Sequence, residues 1–214
     1  MWNTLLTLIF PEQCVGCNKT GSSLCAICER TITTKPRALS GTVASLFDYK
    51  NPLVKKAIWA LKYGQKKGLG VYFGVALYRE FFKHLSRRQE KVAEEILLIP
   101  IPSNIAGTRK RGYNHAEVIA QSIIVCAKND GLELKLSHAL FKKKEVMRQV
   151  EAKNKMRRQK NIEEAFGIRE GEVLTGKTLI LIDDVITSGA TMDEARRVLR
   201  QSKPKRILCI AVAH

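Results

Sequence analysis

One strand-loop-helix string does most to fix what this chain can become. The apolar run 178–182 stops at Asp183-Asp184, and Thr187-Ser188-Gly189-Ala190-Thr191 then opens a helical pattern over 190–201. A short, fully apolar run suits a strand buried on both faces, and such strands belong to parallel sheets covered by helices. Runs 43–49, 96–101 and 207–212 also read as strands. Residues 53–61, 71–88 and 114–128 read as helices, the first with Lys55, Lys56 and Lys62 opposite its apolar side. Strand and helix alternate, so the expected fold is α/β, a mainly parallel sheet flanked by helices. Residues 64–70 read as a break between helices. Lys35-Pro36-Arg37 and Ser40-Gly41 read as a linker.

A chain of 214 residues allows one domain plus an attachment. The expected division is 1–38, an N-terminal helix around Leu5, Leu6, Leu8 and Ile9 with a cysteine cluster, and 39–214, the α/β domain. An apolar content of 45% excludes wholesale disorder. No stretch approaches the roughly 18 apolar residues of a membrane span. Residues 1–10 lack the basic start and small-residue cleavage site of a signal peptide, so a cytoplasmic, reducing setting is expected. Lys plus Arg number 37 against 20 Asp plus Glu, a net charge of +17. That field attracts polyanions: nucleic acid, anionic membrane or phosphorylated small molecules.

Four of the six cysteines form Cys14-x2-Cys17 and Cys25-x2-Cys28. Each pair aims two sulfurs at one point, and two pairs supply the tetrahedral thiolate set of structural Zn2+. Gly16 permits the tight turn of the first pair. Four thiolates leave no open coordination position, so the role is structural or adhesive and not catalytic. Cys126 and Cys209 fall on apolar faces and are expected in the core.

The 183–191 string suits a sugar phosphate. Backbone N–H groups of 188–191, the hydroxyls of Thr187, Ser188 and Thr191, and a helix N-terminus can surround a phosphate monoester. Gly189 allows close approach. Asp183 and Asp184 can accept hydrogen bonds from ribose hydroxyls, or hold a hydrated Mg2+ through water. Nearby, 171–178 fits G-x4-G-K-[ST], but a phosphate loop of that kind follows a strand and opens a helix. Here charged sequence precedes and a strand follows, so Gly176 and Lys177 are a turn into that strand.

The string resembles the phosphoribosyl pyrophosphate (PRPP) motif of the type I phosphoribosyltransferases. The resemblance implies that Asp183 and Asp184 contact the ribose, that Thr187, Ser188, Gly189, Ala190 and Thr191 bind the 5′-phosphate, and that Val185 and Ile186 belong to the same PRPP site. Further features precede it in the chain. They are the cysteine pairs, Pro100-Ile101-Pro102-Ser103, Arg109-Lys110-Arg111-Gly112-Tyr113-Asn114, and a basic stretch 142–160 with nine Lys/Arg against two acids. In this order they are similar to the ComF family, phosphoribosyltransferase-like proteins associated with natural competence and DNA uptake. His115 stands where that family carries Gln. It either donates a hydrogen bond in the pocket or faces solvent on the 114–128 helix.

The resemblance implies a Mg2+-dependent transfer from PRPP, with pyrophosphate leaving C1 of the ribose. Ser103, held by Pro100 and Pro102, is the candidate for diphosphate contact through backbone N–H groups. Arg109, Arg111, Lys153 and Arg157 are candidate catalytic charges, the last two on a basic lid. Nothing identifies the acceptor, and no N-terminal Cys/His pair points to glutamine hydrolysis. Two functions follow. One is a PRPP-binding protein of DNA uptake that contacts single-stranded DNA and DNA-processing proteins. Its DNA would meet the basic segments 55–67, 109–111, 142–160 and 196–206, with Tyr63, Tyr72, Phe73 and Tyr113 available for stacking. The other is a nucleobase-type phosphoribosyltransferase with no DNA role. His84, His138 and His214 have no evident partners in the sequence.

Overall fold

The computed structural model describes residues 12–83, 95–103, 112–143 and 165–214. In chain order these residues form α1 (Ala26–Arg30), β1 (Arg37–Ser40), β2 (Val43–Phe47), α2 (Pro52–Tyr63) and α3 (Lys67–Leu77). A π-helical turn, Tyr78–Phe82, continues α3. Then come β3 (Ile96–Pro100), α4 (His115–Asn129), β4 (Leu134–Leu136), β5 (Leu140–Lys142), β6 (Phe166–Ile168), β7 (Thr178–Val185), α5 (Ala190–Arg200) and β8 (Arg206–Ala213). Six strands pair in the order β1-β2-β8-β7-β3-β4, and β5 pairs with β6 apart from them. Every pairing within the larger sheet is parallel except β1 with β2. No helix among the described residues is long and apolar enough to cross a membrane.

β7 lies between β8 and β3, and alternation along it builds two cores. Ile180 and Ile182 join the apolar cluster made with α2, α3 and α4, together with Phe47, Leu61, Phe73 and Ile119. Leu179 and Leu181 join the second cluster, with Ala195, Val198 and Leu199 of α5. Asp183 and Asp184 extend this alternation, so their side chains leave β7 toward opposite faces at its carboxyl end.

The helices begin where their caps dictate. Asn51 accepts from the Leu53 and Val54 amides at 2.9 and 3.2 Å, and Pro52 follows at the first helical position. α2 then buries Val54, Ala57, Ile58 and Leu61. Each large aliphatic side chain buried this way contributes roughly 2 kcal/mol. Asn114 caps α4 by accepting from the Ala116 amide at 3.1 Å.

Three expectations change. The 35–41 linker contains β1, an exposed antiparallel edge strand. The 64–70 break contains the start of α3, so that helix begins at Lys67 and not near 71. Its glycines serve packing. A Cβ on Gly68 would lie 2.8 Å from Ser23 Oγ, and one on Gly70 2.7 Å from Val118 Cγ1. The strand 178–182 runs on through both aspartates to Val185. The 171–178 segment is indeed a turn into that strand, with Gly176 at φ 73°. The helix expected around Leu5 to Ile9 lies outside the described residues.

Candidate functional site

The carboxyl ends of β7 and β3 are neighbours, with Pro100 opposite Ile182 and the Ile101 amide donating to the Ile182 carbonyl at 2.9 Å. Ser103 therefore stands at the same sheet end as Asp183 and Asp184. From β7 the chain turns through Ile186, whose amide and carbonyl are held by Ala213 and the His214 ring. It then passes through exposed Thr187 and Ser188 to Gly189. Gly189 is the N-cap of α5 at φ 80°, a left-handed conformation that favours glycine. Gly189 has no side chain to cap this N-terminus, and the neighbouring Ser188 hydroxyl makes one long contact, accepting from the Ala190 amide at 3.5 Å. The first amides of a helix have no partner within it, so this end presents N–H groups and the positive pole of the helix dipole. Asp193 is the acidic residue of that first turn.

Asp184 is 2% exposed and gripped from two sides. Lys62 Nζ, from the last turn of α2, lies 2.8 Å from Oδ1. His115 Nε2, from the first turn of α4, lies 2.8 Å from Oδ2, an ion-pair contact without hydrogen-bond geometry. Burial works to raise the Asp184 pKa, but His115 and Lys62 together hold it below the usual carboxylate range. Burial likewise works against the Lys62 ammonium, and Asp184 outweighs it, so the Lys62 pKa is raised. Asp183 behaves in the opposite way. Burial and the neighbouring Asp184 charge push its carboxyl up to about 7, against the pull of Lys62 and Lys142. Its Oδ1 accepts from the Asp184 amide at 2.8 Å.

The Arg-Gly-Tyr-Asn segment explains how three elements converge here. The Tyr113 hydroxyl donates to the Leu61 carbonyl at 2.6 Å, fixing the end of α2 beside α4. Asn114 Nδ2 donates to the Ile101 carbonyl at 3.0 Å, tying α4 to the end of β3. His115 is thereby set against Asp184. It is buried, which removes the solvent-facing reading, and its Nδ1 has no partner among the described residues. Lys62, expected opposite the apolar side of its helix and in the basic segment 55–67, instead turns to the buried Asp184. It stands four residues after Ile58, on the margin of the apolar stripe of α2, and that position was the available signal.

Donor atoms of His115, Asp183 and Asp184 lie within 4.8 Å of one another. Two carboxylates beside an open turn fit the hard oxygen donors that Mg2+ takes alongside water. The Cys14, Cys17, Cys25 and Cys28 sulfurs are also within 4.8 Å of one another, and none of them is in a disulfide. The Cys17 and Cys25 sulfurs are 3.6 Å apart. A ZnS4 tetrahedron with 2.3 Å bonds has edges of about 3.8 Å, so the set fits Zn2+. Burial works to raise the Cys14 thiol, but the backbone N–H groups of Cys25, Cys17 and Gly16 bring it down to about 6. Gly16 is required by space and not by φ, because a Cβ there would sit 2.5 Å from Cys28 Sγ. Val15 and Ile32 flank the cysteines and bury in the same cluster as α2 and α3.

Arg109, Arg111, Lys153 and Arg157 lie outside the described residues. Of the aromatic residues expected near basic ones, Phe73 and Tyr113 are core, Tyr72 is half-buried and Tyr63 is exposed. Exposed Trp59 was not anticipated; its ring centroid is 5.2 Å from that of Tyr63. Cys209 is buried as expected, and Cys126 packs against the core from a half-buried position. His138 has a partner in Glu117 at 3.6 Å, and the His214 ring has the Ile186 carbonyl at 2.9 Å.

A family model described as a phosphoribosyl transferase domain matches residues 87–214. Among solved structures, the chain is similar to a hypoxanthine phosphoribosyltransferase from Staphylococcus aureus at 12% identity and a TM-score of 0.41, covering 66% of this chain and 62% of that one. It is similar to an HGPRT-ase from Leishmania tarentolae, in complex with GMP, at 8% identity and a TM-score of 0.39, covering 68% and 65%. A glutamine PRPP amidotransferase from B. subtilis matches at 19% identity and a TM-score of 0.33, covering 62% and 26%. The chain thus spans less than two thirds of the length of each. No curated protein matches the chain.

Proposed function

Because the chain belongs to the phosphoribosyl transferase domain family, we propose that it binds PRPP, with Mg2+, at the turn from β7 into α5. The observation that carries this reading is the glycine-started N-terminus of α5, where Ser188 reaches the first amide only at 3.5 Å, one short turn beyond the aspartate pair. Thr187, Ser188, Gly189, Ala190 and Thr191 surround the 5′-phosphate, next to Val185 and Ile186. Asp183, the less buried aspartate, meets the ribose hydroxyls, and Asp184 completes the pair from beneath. Ser103 contributes backbone N–H to the diphosphate. In transfer, an acceptor lone pair bonds to C1 as the C1–O bond breaks, and the diphosphate leaves with that electron pair. The chemistry Mg2+ supplies is neutralisation of diphosphate charge. Arg109, Arg111, Lys153 and Arg157 are proposed to share that task.

The wider reading is a ComF-like protein acting in the cytoplasm in DNA uptake, with DNA-processing proteins as partners. In it, residues 1–38 hold Zn2+ through Cys14, Cys17, Cys25 and Cys28, and residues 39–214 form the transferase domain. The surface of α2 supports contact with single-stranded DNA. From 49 to 79 the chain has no acid, while it carries Lys50, Lys55, Lys56, Lys62, Lys66, Lys67 and Arg79. Trp59 and Tyr63 are exposed there as a pair. Lysines that track phosphates and rings that stack bases are the combination single strands require.

Calorimetry with PRPP and Mg2+ tests the first reading, with saturable one-to-one binding expected and its absence contradicting it. An oligo-dT titration across salt tests the second. Affinity should fall steeply with salt and should drop roughly tenfold in a Trp59→Ala, Tyr63→Ala variant. Pyrophosphate release with a nucleobase and no DNA binding would favour a nucleobase transferase instead.

A further inference from the structure

The family match begins at residue 87, yet the ammonium paired with Asp184 among the described residues comes from before it. Lys62 Nζ is 2.8 Å from Asp184 Oδ1, and its positive charge also acts on Asp183. Asp184 is too buried to remain ionised without compensation, and a lone buried carboxylate is costly. His115 faces the other oxygen, so Asp184 is held from both sides. The three side chains differ in freedom. The Asp184 side chain is 3% exposed and that of His115 11%, whereas that of Lys62 is 28% exposed on a flexible stem at a helix end. Lys62 alone of the three can withdraw to solvent without leaving a cavity beneath the sheet end. A divalent ion seeking the aspartate pair would meet the ammonium already at Oδ1, and like charges cannot share one oxygen at close range.

We propose that Lys62 is a resident counter-cation of the aspartate pair: it holds the Asp184 carboxylate while no divalent ion is bound, competes with that ion for Oδ1, and swings toward solvent when the ion enters. This rests on the aspartate pair being the metal-assisted end of the PRPP site. It makes Lys62 a positioning residue and gives the segment before the matched domain a part in ligand binding. A purely structural ion pair would steady the fold without opposing a metal.

The test uses full-length protein and Mn2+ alone, followed by electron paramagnetic resonance of the free ion. Lys62→Met should bind Mn2+ about tenfold more tightly than the wild type, within the usual range of coupling between two sites. Lys62→Arg keeps the charge and should match the wild type, and Lys62→Met with Asp184→Asn should lose the gain. Should Lys62→Met fail to fold, the wild type still decides: the Lys62 ε-carbon resonance should move toward that of a solvated lysine as Mg2+ saturates the site. Equal Mn2+ affinities in wild type and Lys62→Met, no Mn2+ binding in either, or a Lys62 signal unmoved by Mg2+ overturns the proposal. PRPP calorimetry on the same samples separates the two ideas. PRPP binding with equal Mn2+ affinities removes only the Lys62 role, and Mn2+ competition without PRPP binding removes only the PRPP reading.

Discussion

Asp183 and Asp184 are adjacent in sequence, yet β7 sends them to opposite faces of the sheet and into opposite electrostatic conditions. On the α2–α3–α4 face, Asp184 is buried, ionised and clasped by Lys62 and His115. On the α5 face, Asp183 is less buried, carries no ion pair among the described contacts, and has its carboxyl pushed up to about 7. The difference teaches that a two-residue acidic motif need not be two copies of one function. Asp184 resembles a structural keystone joining three elements, and Asp183 a group left partly unsatisfied until a ligand arrives.

The largest expected contrast comes from the cysteine unit, which packs on the Asp184 face through Val15 and Ile32. Stripping the Zn2+ proposed for this unit with a strong chelator should lower stability by about 4 kcal/mol, or roughly 12 °C in melting midpoint. Hydrogen exchange should rise in α2 and α3 and stay low in α5. Uniform loosening of both faces would break the comparison. Next in size, Asp184→Asn strands Lys62 without its counter-charge and should cost about 2 to 3 kcal/mol in urea unfolding. A cost below that of Asp183→Asn would reverse the assigned roles. Gly70→Ala should cost about 2 kcal/mol, because its methyl must displace Val118 across the α3–α4 contact. A neutral result there would mean that this face is looser than its distances imply.

At pH 5, where the Asp183 carboxyl is protonated and Asn matches its shape and charge, the smallest stability change, under about 1 kcal/mol, belongs to Asp183→Asn. Its signature lies in pH dependence. A carboxyl raised in the folded state favours folding below its unfolded pKa near 4, and that contribution is lost as pH rises through about 7. Asp184, depressed in the folded state, contributes above pH 4 and loses its contribution as pH falls. Between pH 5 and 8 the wild type should therefore lose stability, and Asp183→Asn should flatten that slope. An unchanged slope would place the titrating group elsewhere.

The α/β class, the buried strands at 96–100 and 178–182, and the turn at 187–191 were legible because apolar runs and Thr/Ser/Gly chemistry are local signals. β1 was hidden, since an exposed edge strand of Arg-Ala-Leu-Ser has no apolar alternation to display. The start of α3 was hidden for a related reason. Gly68 and Gly70 look like helix breakers until the facing Ser23 and Val118 are known. Lys62 and Asp184 lie 122 positions apart in the Lys62–Asp184–His115 cluster, and the packing of α2 into the core together with the Tyr113 hydrogen bond brings its members together. Residue types alone carry no record of such a long-range contact.

The central claim is that the β7–α5 turn holds the phosphate end of PRPP. A crystal structure of the protein grown with PRPP and Mg2+ tests it most directly. The account predicts the 5′-phosphate within hydrogen-bond distance of the 188–191 amides, with the ribose hydroxyls at Asp183. A phosphate seated elsewhere, with those amides bonded only to water, would contradict it.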